Sequence, residues 1–111
     1  MFYKRDRAGY REAVKGVALK TLVYGEKTLL TEFRLKAGNA LPKHAHEHEQ
    51  TGYLVSGAIR LSIGEETFSV EPGDSWSIPG NVEHAAKIIS DSVAIEVFSP
   101  VRKDYLPGSK A

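Results

Sequence analysis

From Val17 onward, apolar side chains recur at every second position, and glycine or proline interrupts the pattern about every six to twelve residues. A period of two belongs to strands, because successive side chains on an extended backbone point to opposite faces. Val17, Leu19, Thr21 and Val23 alternate with Ala18, Lys20, Leu22 and Tyr24 before Gly25-Glu26-Lys27 turns the chain. Leu29, Thr31, Phe33 and Leu35 alternate with Glu32, Arg34 and Lys36 as far as Gly38-Asn39. Tyr53-Leu54-Val55 leads into Gly57, Ile59, Leu61 and Ile63 follow, and Gly64-Glu65-Glu66 predicts a hairpin returning through Phe68 and Val70. Pro72-Gly73-Asp74 and Pro79-Gly80-Asn81 are turn signals on either side of a brief strand at Trp76 and Ile78. Residues 84–89 and 92–98 read as two further strands around Ser90-Asp91. Before Val17 the segment fits a short strand or turn as well as a helical piece, and Pro107 to Ala111 reads as a loose tail. No stretch is convincingly helical, so the chain is all-β, a sandwich or a barrel.

At 111 residues the chain forms one domain with a single modest core. A net charge of +1 gives no electrostatic reason to expect nucleic acid or an anionic membrane as partner. There is no cysteine, so disulfides are excluded and any metal must be held by nitrogen and oxygen. Met1 to Gly16 has no apolar signal-peptide core, and no run approaches the roughly 18 apolar residues of a membrane span. A cytoplasmic protein with neither nucleic-acid nor membrane partner is expected. The chain shows no appended DNA-binding segment, which counts against a regulator acting alone.

Between Gly38 and Gly57 lies His44-Ala45-His46-Glu47-His48-Glu49-Gln50. On an extended strand His44 and His46 point the same way, the arrangement by which two imidazoles share one metal ion at roughly 2.0–2.1 Å. Gln50 follows as a third candidate ligand, and His84 waits further along. His48 reads as a rim residue, with Glu47 and Glu49 solvated unless one of them replaces Gln50 in the shell. The competing reading is a solvated run of His and Glu, with Gln50 a plain strand polar residue.

Written with its spacing, this segment is Gly38, five residues, His44-x-His46, three residues, Gln50, six residues, Gly57. A second is Gly73, five residues, Pro79-Gly80-Asn81, two residues, His84. The pair resembles the two motifs of the cupin superfamily. That resemblance implies a double-stranded β-helix, or jelly-roll barrel, holding one divalent metal (Zn, Ni, Fe or Mn) on His44, His46, Gln50 and His84. Gln50 stands where most metal cupins carry Glu, so a neutral shell would leave the ion its double positive charge and greater Lewis acidity. Asn81 stands where the motif has Gly, and asparagine tolerates the left-handed region. Ile88 replaces the motif's final Asn and reads as a packing position; Gly57, Gly73 and Gly80 are assigned to turn geometry alone.

The run from Glu96 to Leu106 resembles the ending of the small pectin-degradation cupins that linearise unsaturated uronic acid monomers, which also use a Gln ligand. By that resemblance Glu96, Phe98 and Arg102 line a substrate pocket, Glu96 standing where the group carries Asp. The period of two puts Glu96 and Phe98 on one face, opposite Val93, Ile95 and Val97. A carboxylate among apolar neighbours needs a partner, and Arg102 is either that partner or a clamp for a substrate carboxylate. Tyr53 joins Phe98 and Arg102 as a substrate contact, and Tyr53, Trp76 and Phe33 read as core or pocket wall. The implied function is metal-assisted opening or tautomerisation of an unsaturated uronate, with Glu96 moving a proton and Arg102 holding the carboxylate. The alternatives are a non-haem metal dioxygenase and a non-catalytic, small-ligand-binding cupin. A homodimer is expected, with the segment around Phe2, Tyr3 and Tyr10 covering a strand edge.

Overall fold

Two strands longer than any the sequence period marks out organise the molecule. The computed structural model describes residues 1–107, so residues 108–111 of the expected loose tail lie outside the described residues. Its strands are β1 (Arg11–Val14), β2 (Val17–Tyr24), β3 (Leu29–Leu35), β4 (Ala40–His44), β5 (Glu49–Ile63), β6 (Glu66–Val70), β7 (Ser75–Ile78) and β8 (His84–Ser99). One 3-10 turn, Lys103–Tyr105, follows β8. Of the N-terminal segment, Arg11–Val14 forms the short strand β1, paired antiparallel with β2, and residues 1–10 join no strand.

β5 and β8 pair along almost their whole length and pass through both layers of the barrel. The first half of β5 and the second half of β8 continue the sheet β1-β2-β3-β8-β5-β7. Their other halves join β4 and β6 in the order β4-β8-β5-β6. The break expected at Ser90-Asp91 is thus a corner inside one strand, and the strand entering Gly57 likewise continues to Ile63. Register shifts between Leu54 and Ile59 mark the corner in β5, where Gly57 adopts φ 94°. The shift exchanges parity: Gln50 and Leu54 are buried before the corner, Ile59 and Leu61 after it.

The inward faces follow the alternation closely. Leu29, Thr31, Phe33 and Leu35 of β3 are all buried, as are Val17 and Leu19 of β2. With Leu54, Ile59, Leu61, Val70, Ala86, Ile88, Ala94 and Phe98 they form one core cluster. Ile88, at 3% exposure, is the packing position its sequence context suggested. Among the described residues no helix is long and apolar enough to cross a membrane.

Candidate metal centre and active site

His44 closes β4 and His84 opens β8, and the two are cross-strand partners. His46 lies two residues past the end of β4, so a turn places it and not the strand alternation assumed for it. The backbone N–H of Asn81 donates to the His46 carbonyl at 2.7 Å, tying that turn to the segment before His84. Asn81 adopts φ 65°, the left-handed conformation expected of it. Gly80 needs more than turn geometry: its φ is not positive, and a Cβ there would collide with the Glu47 carbonyl oxygen.

The three rings converge, with centroids 4.2 Å apart for His44 and His84, 4.9 Å for His46 and His84, and 5.6 Å for His44 and His46. One ligand nitrogen from each lies within 4.8 Å of the other two. Each Nδ1–H donates to a backbone carbonyl two residues away: His44 to Pro42 at 2.8 Å, His46 to His48 at 3.0 Å, His84 to Val82 at 2.9 Å. A carbonyl only accepts, so the protons sit on Nδ1 and every Nε2 presents a lone pair. Nε2 of His46 and His84 and Oε1 of Gln50 are buried without a hydrogen-bond partner among the described residues. Buried acceptors left unpaired are costly, and a divalent cation satisfies all of them at once. The donor set fits such an ion.

Burial, reinforced by the charge of Arg102 and by His84, lowers the His46 pKa to about 4. Burial also lowers that of His84, against the opposing pull of its bond to Val82. Both shifts favour the neutral ring, the form in which a histidine can serve as a ligand.

Gln50 is 5% exposed and uses its two ends differently. Its Nε2 donates to Glu96 Oε1 at 2.6 Å while its Oε1 is one of the orphaned acceptors. The same Glu96 oxygen accepts the indole Nε1–H of Trp76 at 3.0 Å. Burial pushes the Glu96 carboxyl above the usual range, and the bonds from Trp76 and Gln50 and the charge of Arg102 work against it. Beside Glu96, Thr31 donates its hydroxyl to the Glu96 backbone carbonyl at 3.2 Å. His44, His84, Gln50, Trp76 and Glu96 line a cavity of about 60 Å³ whose remaining wall includes Phe33, Ile59, Leu61 and Ile88.

Arg102 and Tyr105 line the same cavity. Of the two roles left open for Arg102, the ion pair with Glu96 is not formed: Arg102 donates from Nε and Nη2 to both oxygens of Asp104, at 3.2 and 2.7 Å. Proximity along the chain decides this, since the 3-10 turn brings Asp104 back under the guanidinium. The guanidinium also stacks on Tyr105 at 3.9 Å and lies 5.1 Å from the Phe98 ring centroid. Burial would raise the Asp104 carboxyl, but the hydrogen bonds and charge of Arg102 outweigh it and hold it below the ordinary value. The turn is anchored by Arg11 donating to the Asp104 carbonyl at 2.6 Å and by Thr21 donating to that of Tyr105. Tyr105 meets Phe33 and Phe98 edge-on, and burial raises its own pKa.

The structure thus brings His44, His46, His84, Gln50, Glu96, Phe98 and Arg102 to one place, but not Tyr53. At 49% exposure Tyr53 faces outward, because Gln50 and Leu54 of the same strand face in and an odd offset reverses the face. Phe98 is a core residue at 1% exposure, its ring against His46 and Tyr105. His48 flanks His46 outside the triad, and Glu47 and Glu49 are exposed. Asp104, Tyr105 and Thr31 went unassigned in the sequence reading. Asp104 and Tyr105 lie in the run resembling pectin-degradation cupins, but no periodicity points to their partners.

A cupin domain family model matches residues 31–99. Over 107 residues the chain is 24% identical to the pectin degradation protein KdgF of Dickeya dadantii, covering 95% of this chain and 97% of that one. The solved structure of KdgF from a Halomonas species superposes with a TM-score of 0.89 at 29% identity, covering 96% of this chain and all of that one. An RmlC-like cupin from Shewanella frigidimarina gives a TM-score of 0.88 at 24% identity over 95% of both chains, a likeness of fold. With more than half of its length matched by the family model and its three histidines gathered in one end of the barrel, the chain belongs to the cupin family.

Proposed function

We propose that this cupin is a metal-dependent enzyme that opens or tautomerises an unsaturated uronic acid. The observation that carries the reading is the bond from Gln50 to Glu96, which places that carboxyl in the same cavity as His44 and His84 and beside an amide whose other end is an unpaired buried acceptor. Likeness to two proteins called KdgF, one of them described as a pectin degradation protein, supports the substrate class. A bound divalent ion supplies Lewis acidity toward a carbonyl or ring oxygen. His44, His46, His84 and the Gln50 amide oxygen hold it, and Glu96 takes and returns the proton that moves. Arg102 keeps its Nη1 edge unused by Asp104 and meets the substrate carboxylate there. The mostly apolar cavity wall limits water beside the reacting carbon.

Protein purified without added metal, assayed for metal content and against a panel of unsaturated uronates, tests the proposal. Stoichiometric metal with turnover of a uronate is expected. Full metal loading with no turnover removes the uronate reading, and consumption of oxygen in the same assays would replace it with a dioxygenase.

A further inference from the structure

We infer that Trp76 is a positioning residue that decides which oxygen of Glu96 exchanges a proton, an inference resting on the proton-transfer role proposed above. Gly52 of β5 is in register with Trp76 on β7 on one side and with Glu96 on β8 on the other. Trp76 and Glu96 are thus two strands apart, roughly 10 Å by the usual strand spacing, too far for direct contact across an ordinary residue. Gly52 removes the obstacle: a Cβ there would collide with the indole ring, so the ring lies across the glycine. The indole N–H thereby reaches Glu96 Oε1 at 3.0 Å, where the Gln50 amide also arrives at 2.6 Å.

The chemistry of the donors makes the two oxygens unequal. An indole N–H can only donate, and two N–H donors occupy the acceptor capacity of Oε1. A proton on Glu96 therefore resides on Oε2, which makes no hydrogen bond to protein among the described residues. Oε2 takes the proton from the substrate and returns it, while Oε1 keeps both N–H bonds throughout. Without the indole, one anchor is lost and the carboxyl rotates more freely between its two faces.

Trp76 is the sole tryptophan of the chain, so a nitrogen-15 correlation spectrum contains a single indole N–H resonance. In the parent that resonance is expected downfield, as for a bond to a carboxylate, and Glu96→Gln moves it upfield. An identical position in the two proteins overturns the inference. This arm is read whether or not a uronate is turned over, and it needs no change at Trp76, so loss of the uronate reading or misfolding of a Trp76 variant leaves it decisive. On a turned-over uronate, Trp76→Phe lowers kcat on the order of 10- to 100-fold, with KM and metal content unchanged. The Trp76→Phe, Glu96→Gln pair is no slower than Glu96→Gln alone, because Trp76 acts through Glu96. Parent-like kcat in Trp76→Phe, or a further loss in the pair, overturns the assignment.

Discussion

Gln50 is better suited to its position than the glutamate usual among metal cupins, and the neighbouring acid is the reason. An amide carries a donor on one end and an acceptor on the other, so it can serve Glu96 and a cation at once. A carboxylate at 50 would face Glu96 Oε1 across the 2.6 Å now spanned by a hydrogen bond, and two carboxylates that close cannot both ionise. Gln50→Glu is therefore expected to retain metal but to lose at least about tenfold in kcat, because a shared proton would occupy the carboxyl proposed to move protons. Metal analysis and kinetics on one preparation check this. Phe98, by contrast, is unsuited to probing substrate contact by truncation. Its ring is fully packed, so Phe98→Ala should cost about 3–5 kcal/mol in denaturant unfolding before any effect on substrate is visible.

At the scale of elements, the segment after β8 behaves as a strap carrying Arg102 to the cavity. Its grip is the two-pronged bond to Asp104, with side chains 14% and 34% exposed for Arg102 and Asp104. The carboxyl is held below its ordinary value, so its contribution is present above the unfolded pKa and is lost as pH falls through the folded one. Asp104→Asn should lower stability by about 1 kcal/mol or less at neutral pH, since the pair is partly solvated. The difference from the parent should vanish in strong acid. Unfolding midpoints at the two pH values decide it, and a raised KM at neutral pH would show that the strap also orients Arg102. The histidine cluster supplies the other pH response. His46 is near 4 in the fold against about 6.5 unfolded, so in metal-free protein its stabilising effect is complete above about 6.5 and is lost toward 4. The melting temperature of the metal-free parent should fall across that window more than that of His46→Gln. Metal retention should likewise extend below the ordinary imidazole range.

The whole molecule is held by one apolar core that also forms much of the wall of the cavity holding the candidate ligands. Its outer surface is less finished. β1 pairs along one edge of β2, while Met1 and Phe2 remain 82% and 86% exposed. Tyr53 and Val55 stand on the outer face of β5 at 49% and 48% exposure. Apolar surface of this kind favours association, and a homodimer is expected. Light scattering at high micromolar concentration should return twice the chain mass, and a monomer mass would count against pairing.

The all-β fold, the inward face of most strands and the left-handed Asn81 were legible in the chain itself, because they depend on local period or on the conformational tolerance of single residues. The convergence of His44 and His84 followed only from the resemblance of the two motifs to those of cupins. Tyr53 was legible too, since its odd offset from Gln50 turns it outward. What the sequence could not determine are the partners across strands. Whether Ser90-Asp91 ends a strand or bends one depends on which neighbours pair on either side. That Trp76 meets Glu96 across Gly52 follows from a register shared by three strands. That Arg102 turns to Asp104 instead of Glu96 depends on a 3-10 turn anchored by Arg11 and Thr21 from the far end of the chain. A period of two sets the direction of a side chain, but only the hydrogen-bonded register of the closed barrel sets what it meets there.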